Sequence, residues 1–313
     1  MAFKRTPQKF SASINEVVIG TGDKAVTLGG ASTFPLYTFD GEAKNKVAIG
    51  VEITDEGFDA SVPGIAEYYA GCEGIGAIAK KASEMPGADF VVLSLEGADP
   101  NGANKSVEDC VAIAKEVADA IDCPLAVVGC KNVEKDTQLF EKVAEALAGK
   151  NVLFVSAREE DYKGIVAAAV MAYKQKISAE SAVDINLAKQ LNVLISQMGI
   201  SPENYVMNVG SAAAGYGYEY VASTLDRVRA AALEQNDAML QMPIITPVAS
   251  EAWAVKEAVV SEEDFPEWGP REERGVEMEV STAASVIAGG ADAVILRHPK
   301  SVDTIARLVA ALM

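Results

Sequence analysis

Asp89-Phe-Val-Val-Leu-Ser-Leu95 and, after one helical pattern, Pro124-Leu-Ala-Val-Val-Gly129 decide the fold. Phe90-Val-Val-Leu93 is almost continuously apolar, as a parallel strand covered on both faces must be. Between the two runs, Val107–Ile121 has the spacing of a helix. Ser106 stands at its N-cap position, and Glu108 and Asp109 put acids in the first turn, where the helix dipole favours them. Strand, helix and strand in that order make a βα unit whose two strands run parallel.

The same alternation extends outward to both sides. Strands are predicted near Lys46–Ile53, Asp89–Leu95, Pro124–Gly129, Asn151–Ser156, Lys176–Glu180, Asn204–Asn208, Met242–Thr246 and Asp292–Arg297. Helices are predicted over Val107–Ile121, Glu134–Leu147, Asp161–Gln175, Asp184–Met198, Tyr218–Glu234, Val276–Ala288 and Val302–Leu312. Asp184 is a candidate cap for the face formed by Leu187, Leu191, Leu194 and Ile195, and Gly199 stops that helix. Eight such units predict an α/β fold, a TIM (β/α)8 barrel over residues 46–313, rather than an open doubly wound sheet. No GxGxxG follows the first strand, and Gly71-x-x-Gly74-x-Gly76 has the wrong spacing for a dinucleotide site. Residues 1–45 form an N-terminal extension, in which Ile14–Ile19 and Ala25–Leu28 flank Gly20-Thr-Gly-Asp23 as a β-hairpin that extends or plugs one barrel end. Residues 260–275, charged and bearing Pro and Trp, read as an excursion after the seventh strand, either a solvated loop or a partner contact at the barrel mouth.

The chain has 313 residues and a net charge of −18, from 45 acidic and 27 basic side chains. That balance argues against nucleic acid and anionic membrane surfaces, both of which need a basic footprint. The start, Met1-Ala-Phe-Lys-Arg-Thr-Pro7, lacks the apolar core of a secretory leader, and no run approaches a membrane span. A cytoplasmic protein with reduced thiols is expected. Cys72, Cys110, Cys123 and Cys130 include no CxxC pair and no histidine at ligand spacing, so an iron–sulfur cluster held by this chain alone is not expected.

The functional face of such a barrel lies at the C-terminal ends of its strands. There the sequence places Glu52, Thr54, Ser94, Glu96, Gly129, Ser156, Asn208, Thr246, Arg297 and His298. His298 is the only histidine, which disfavours a zinc centre or a histidine-based triad, and its place before Pro299 reads as a turn. Lys46 and Lys176 fall at strand starts, the wrong end for a Schiff base. The rim therefore reads as built to cover or bind something. Asn208-Val-Gly-Ser-Ala-Ala-Ala-Gly-Tyr-Gly-Tyr-Glu-Tyr220 is the most distinctive part of it. Gly210, Gly215 and Gly217 allow close backbone approach, while Tyr216, Tyr218 and Tyr220 supply aromatic edges. The alternative is a relaxed turn followed by an ordinary helix.

Five segments in order carry a family resemblance: Leu28-Gly-Gly-Ala-Ser-Thr-Phe-Pro35, Asp99-Pro-Asn-Gly102, Asp184-Ile-Asn-Leu-Ala-Lys-Gln-Leu-Asn192, Ala214-Gly-Tyr-Gly-Tyr-Glu-Tyr220 and Leu296-Arg-His-Pro299. From about residue 14 onward the chain resembles the small subunit of the corrinoid iron–sulfur protein, related to the archaeal acetyl-CoA decarbonylase/synthase delta subunit. The resemblance implies a TIM barrel paired with a larger subunit that carries the [4Fe-4S] cluster and a mobile corrinoid domain. It implies a methyl carrier that serves a methyltetrahydrofolate methyltransferase and acetyl-CoA synthase, with the corrinoid shared between the two subunits.

A corrinoid is a broad, mostly apolar disc with amide arms. Contacts chosen by strand-end position and motif are Ser94, Ser156, Asn208 and Thr246 for the arms and Arg297 at the last strand. Gly210, Ser211, Gly215, Tyr216 and Gly217 complete the set. No catalytic residue or metal ligand is assigned. The competing expectations are a pterin-dependent methyltransferase acting on methyltetrahydrofolate, with Asn208, Asp99 and Asn101 on the pterin, and an unrelated lyase barrel. An acid at a strand end would favour the methyltransferase, and Glu52 and Glu96 are the acids expected there.

Overall fold

Phe90–Ser94 is an interior strand of a closed parallel barrel in a computed structural model that describes residues 6–41 and 43–312. Met1–Arg5, on which the leader reading partly rests, lie outside the described residues, as do Glu42 and Met313. A two-stranded antiparallel hairpin comes first, β1 (Glu16–Ile19) and β2 (Val26–Gly29), with Glu16 opposite Gly29. The barrel strands follow: β3 (Ala48–Thr54), β4 (Phe90–Ser94), β5 (Leu125–Val128), β6 (Leu153–Ala157), β7 (Lys176–Glu180), β8 (Tyr205–Asn208), β9 (Ile245–Thr246) and β10 (Ala293–Leu296). They form one parallel sheet of eight in the order β8-β7-β6-β5-β4-β3-β10-β9. A bridge between Met207 and Ile244, with Met207 N donating to Pro243 O at 2.8 Å, closes β8 onto β9. The TIM barrel expected from the sequence is the fold.

Helices α1 (Ile65–Tyr68), α2 (Gly74–Ser83), α3 (Val107–Ala120), α4 (Val133–Ala146), α5 (Tyr162–Ile165), α6 (Ile185–Gln197), α7 (Tyr218–Leu233), α8 (Val248–Ala252), α9 (Lys256–Val259), α10 (Arg271–Gly289) and α11 (Pro299–Leu312) form the outer layer. Two expected caps are made. Ser106 accepts from Asp109 N at 3.1 Å, and Asp184 accepts from Asn186 N at 2.8 Å and Leu187 N at 3.2 Å. Several boundaries differ from expectation. The helix expected over 161–175 is one α-turn continued by a π-helical stretch, Val166–Ala172. Helix α10 starts at Arg271, so the end of the 260–275 excursion is helix rather than loop. Helices α1, α2, α8 and α9 lie in gaps between strands where helices are expected but no range is predicted. Among the described residues no helix is long and apolar enough to cross a membrane.

Strand alternation divides the apolar residues into two shells. Val91, Leu93, Val127, Phe154, Ile177, Tyr205, Met207, Val294 and Leu296 belong to the large cluster shared with the helices. Ala48, Phe90, Val92, Ala126, Leu153, Val155, Val206, Ile245, Ala293 and Ile295 fill the barrel. Gly50 is small because Phe90 needs its space: a Cβ there would lie 2.4 Å from the Phe90 ring.

The hairpin joins the inner shell. Val17, Ile19 and Leu28 are buried with the barrel residues, while the intervening Val18 faces outward. Asn151, just before β6, donates through Nδ2 to Val18 O (2.8 Å) and Gly20 O (2.9 Å), and its carbonyl accepts from Gly20 N (2.9 Å). The hairpin thus plugs the N-terminal end and leaves the C-terminal mouth open.

Candidate functional site at the barrel mouth

Near their C-terminal ends five of the eight strands bring a polar side chain to the inner face. Ser156 does so where β6 breaks alternation at a register shift between Phe154 and Ala157, whereas β5 and β9 end inward in Val128 and Ile245. Glu52 on β3, Ser94 on β4, Ser156 on β6, Glu180 on β7 and Asn208 on β8 line a cavity of about 520 Å³, walled also by Val128, Gly129, Cys130, Gly210 and Ser211. Its lining carboxylates, Glu52, Glu96, Asp99, Asp136, Glu180 and Glu251, outnumber the cations Lys131 and Arg158. Such a balance repels phosphates and other anions.

Arg297 leaves β10 into this rim but is already engaged. Nε donates to Glu52 Oε2 (2.7 Å), Nη1 to Asp59 Oδ2 (2.6 Å) and Nη2 to Glu96 Oε1 (3.2 Å). Burial works against its charge, yet Glu52, Glu96 and Asp59 hold the guanidinium above the usual arginine range. Burial raises the Glu96 carboxyl; Arg297 opposes that, while Glu52 and Asp59 add to it. Behind the strand the fully buried Glu279 of α10 accepts from Arg297 N (2.7 Å) and His298 N (3.2 Å).

His298 proves to be the turn residue expected. Its Nδ1 accepts from Lys300 N (3.2 Å), which leaves Nε2–H to donate to Pro63 O (3.1 Å), and burial lowers its pKa. It closes the start of α11 and is not placed among the cavity residues.

Opposite Arg297 the polar floor is a connected set. Ser178 Oγ lies 2.9 Å from Ser156 Oγ, Asn208 Nδ2 donates to Ser156 Oγ at 2.9 Å, and Gly210 N donates to Asn208 Oδ1 at 3.0 Å. Arg158 Nε reaches Glu180 Oε1 at 3.3 Å, and Asp161 Oδ1 accepts from Arg158 N at 2.6 Å. Burial raises Asp161 to about 6 and also raises Asp136. The Cys130 thiol, 3.2 Å from Asp136 Oδ1, is raised to about 11 by burial, so it stays a thiol at neutral pH.

Of the residues selected from sequence, the cavity brings together Ser94, Ser156, Asn208, Gly210 and Ser211. Arg297 stands beside them, with its guanidinium taken up by carboxylates. Thr246 is at the end of β9 but fully buried: Ile245 is the inward residue, so its neighbour points to the helical layer. Gly215, Tyr216 and Gly217 lie beyond the cavity, where Gly217 opens α7 with a φ of 88°. Tyr216 is hydrogen-bonded to Glu257 and is 49% exposed, with Tyr220 at 68% and Val183 at 39%. Thr224 Oγ1 donates to Val183 O, which ties the start of α7 to the cavity wall.

Glu180 is a third strand-end carboxylate, beyond the Glu52 and Glu96 expected from sequence. The alternation Ile177-out, Ser178-in, Ala179-out, Glu180-in carried that signal. Arg158, Lys131 and Asp59 lie in loops past the strand ends, where no periodicity marks them, and Asp136 lies in the first turn of α4. Among the described residues no group of three His, Cys, Asp or Glu is placed to hold a metal.

A family model described as the CO dehydrogenase/acetyl-CoA synthase delta subunit matches residues 16–309. The chain belongs to this delta subunit family. An acetyl-CoA decarbonylase/synthase complex subunit delta from Archaeoglobus fulgidus is 31% identical over 313 residues, covering 96% of this chain and 68% of the relative. The delta subunit from Methanopyrus kandleri is 33% identical over 289 residues, covering 91% and 70%. Membership of this family carries a role in the acetyl-CoA pathway as a subunit of a larger complex. Dihydropteroate synthases share the delta-type barrel. That of Vibrio fischeri has a TM-score of 0.57 at 10% identity, covering 94% of this chain and 97% of the other. That of Coxiella burnetii, in complex with pteroic acid, has a TM-score of 0.57 at 11% identity, covering 95% and 98%. At that identity the likeness is one of fold.

Proposed function

We propose that this chain is the non-catalytic small subunit of a corrinoid iron–sulfur methyl carrier. In this reading it covers a corrinoid presented by a larger, cluster-bearing partner. The pair takes a methyl group through a methyltetrahydrofolate methyltransferase and passes it to acetyl-CoA synthase. The observation that carries the reading is the match to the delta subunit family over residues 16–309.

The mouth fits a covering role. Ligand cavities that enclose a drug-sized molecule run to roughly 300–1,000 Å³, and a corrin with its arms is broader than the cavity of about 520 Å³. The ring would lie across the mouth, against Val183, Tyr216 and Tyr220, with only its arms entering. Ser211 Oγ, buried and without a hydrogen-bond partner among the described residues, is one group available to such an arm. When bound, the corrinoid's cobalt supplies the methyl-accepting and methyl-donating chemistry. This chain's residues would hold the periphery of the ring and keep water from one face.

A second reading, methyl transfer from a bound pterin by this barrel itself, is favoured by Glu180 beside Asn208, register partners on adjacent strands. The two separate in one experiment. Anaerobic purification of the native protein should yield a stoichiometric larger chain with corrinoid and iron–sulfur absorption. A colourless single species that transfers methyl from methyltetrahydrofolate to free cobalamin would establish the second reading instead.

A further inference from the structure

The floor of the mouth has a donor and acceptor pattern with an identifiable complement. Gly210 N–H can only donate, so the Asn208 side chain must turn its oxygen toward it. The Asn208 Nδ2 group then gives one hydrogen to Ser156 Oγ, and its second has no partner among the described residues. Ser178 is fully buried, so its hydroxyl hydrogen is satisfied only by donating to Ser156 Oγ. Ser156, on the cavity wall, accepts from both and has its own hydrogen without a partner among the described residues. Next to Asn208 in register, Glu180 uses Oε1 for Arg158, and its Oε2 has no partner among the described residues.

Two free donors beside a free carboxylate oxygen match a neutral group that presents C=O next to N–H. An anionic ligand would meet Glu180 and the acidic rim, and an ammonium would meet hydrogens of Asn208 and Ser156. We propose that Ser156, Asn208 and Glu180 form an amide-reading subsite, Ser156 and Asn208 holding the carbonyl oxygen and Glu180 the N–H. This rests on the carrier reading for its ligand, because the arms of a corrinoid end in primary carboxamides. The lactam edge of a pterin has the same pattern and is the other source.

Titration of the full chain with cyanocobinamide, with cobyrinic acid heptamethyl ester and with 6-methylpterin tests it. The ester keeps the ring and the carbonyls but has no N–H on its arms. Cobinamide should bind about ten-fold more tightly than the ester, the size of one or two hydrogen bonds to a charged or fixed polar group. Glu180→Gln should erase most of that preference and leave ester affinity unchanged, whereas Asn208→Asp should weaken amide and ester together, because both present the carbonyl that Asn208 Nδ2 holds. Equal wild-type affinity for amide and ester overturns the subsite without recourse to any variant. If cobinamide fails to bind while 6-methylpterin binds in a Glu180-dependent way, the subsite stands and the carrier reading falls. Failure of both amide probes overturns the subsite.

Discussion

Asp161 connects burial to pH at the level of one residue. Its carboxylate accepts from Arg158 N at 2.6 Å and so fixes the turn from which Arg158 reaches Glu180. Burial raises its pKa from 3.8 to about 6 in the folded chain. A carboxyl whose folded pKa is raised adds stability that is full below the unfolded value and is lost as pH rises through the folded one. An asparagine keeps the accepting oxygen without the charge. The denaturation midpoint of Asp161→Asn should therefore gain on that of the wild type between pH 4 and pH 7, in chemical denaturation at each pH. Parallel profiles would show that Asp161 ionises as freely in the fold as outside it. This residue carried no sequence signal beyond a helix-start position, because its perturbation comes from burial beside α4, whose Val133 and Thr137 lie close to it only in the fold. Arg297 is the converse case: its place at a strand end was legible, but its partner Asp59 comes from the loop after β3.

At the scale of elements, the segment before α7 is set by backbone conformation. Gly215 and Gly217 both have φ of 88°, and a Cβ at Gly215 would meet nothing within 4 Å. The cost of Gly215→Val is therefore conformational, about 1–2 kcal/mol for a residue held left-handed, and not steric. In a barrel of this size it should lower the melting temperature by about 2–4 °C per kcal/mol. The displaced Tyr216 should at the same time loosen the exposed rim. Corrinoid retention by the assembled complex should fall by more than the stability loss explains, measured as cobalt per complex after gel filtration. Normal retention would remove that segment from the docking surface. The eight barrel strands and seven of the helices were readable from apolar runs and capping residues. Which strand-end residue faces the mouth required the phase of each strand. Thr246 shows why: β9 has two residues, too few to fix a period, and its phase comes from pairing with β10. Glu180 had a legible phase, since Ile177 and Ala179 alternate with Ser178.

For the whole molecule, the question is whether the hairpin is an appendage or the floor of the barrel. Leu28 is fully buried in the inner cluster with Phe90 and Leu153, so Leu28→Ala removes packing from the interior as well as from the hairpin. A buried leucine truncated to alanine costs about 2–5 kcal/mol. Val18, on the opposite face of the same hairpin, is 41% exposed, and its hydrogen bond to Asn151 uses the backbone carbonyl. Val18→Ala should stay within about 0.5 kcal/mol of the wild type. If the hairpin is the floor, Leu28→Ala shifts a single unfolding transition, and amide exchange accelerates in β8 at the mouth as it does in β2. An appendage would behave differently: exchange would rise in β1 and β2 alone, and the barrel's transition would stay where it was. The first outcome is expected, because the apolar column from Leu28 and Ile19 through Phe90 and Val92 continues without a break to the polar layer of Glu52, Ser94 and Asn208. The open mouth then depends on the closed end. Water that entered from below would reach Ser156 and Asn208, each of which has a hydrogen without a partner among the described residues.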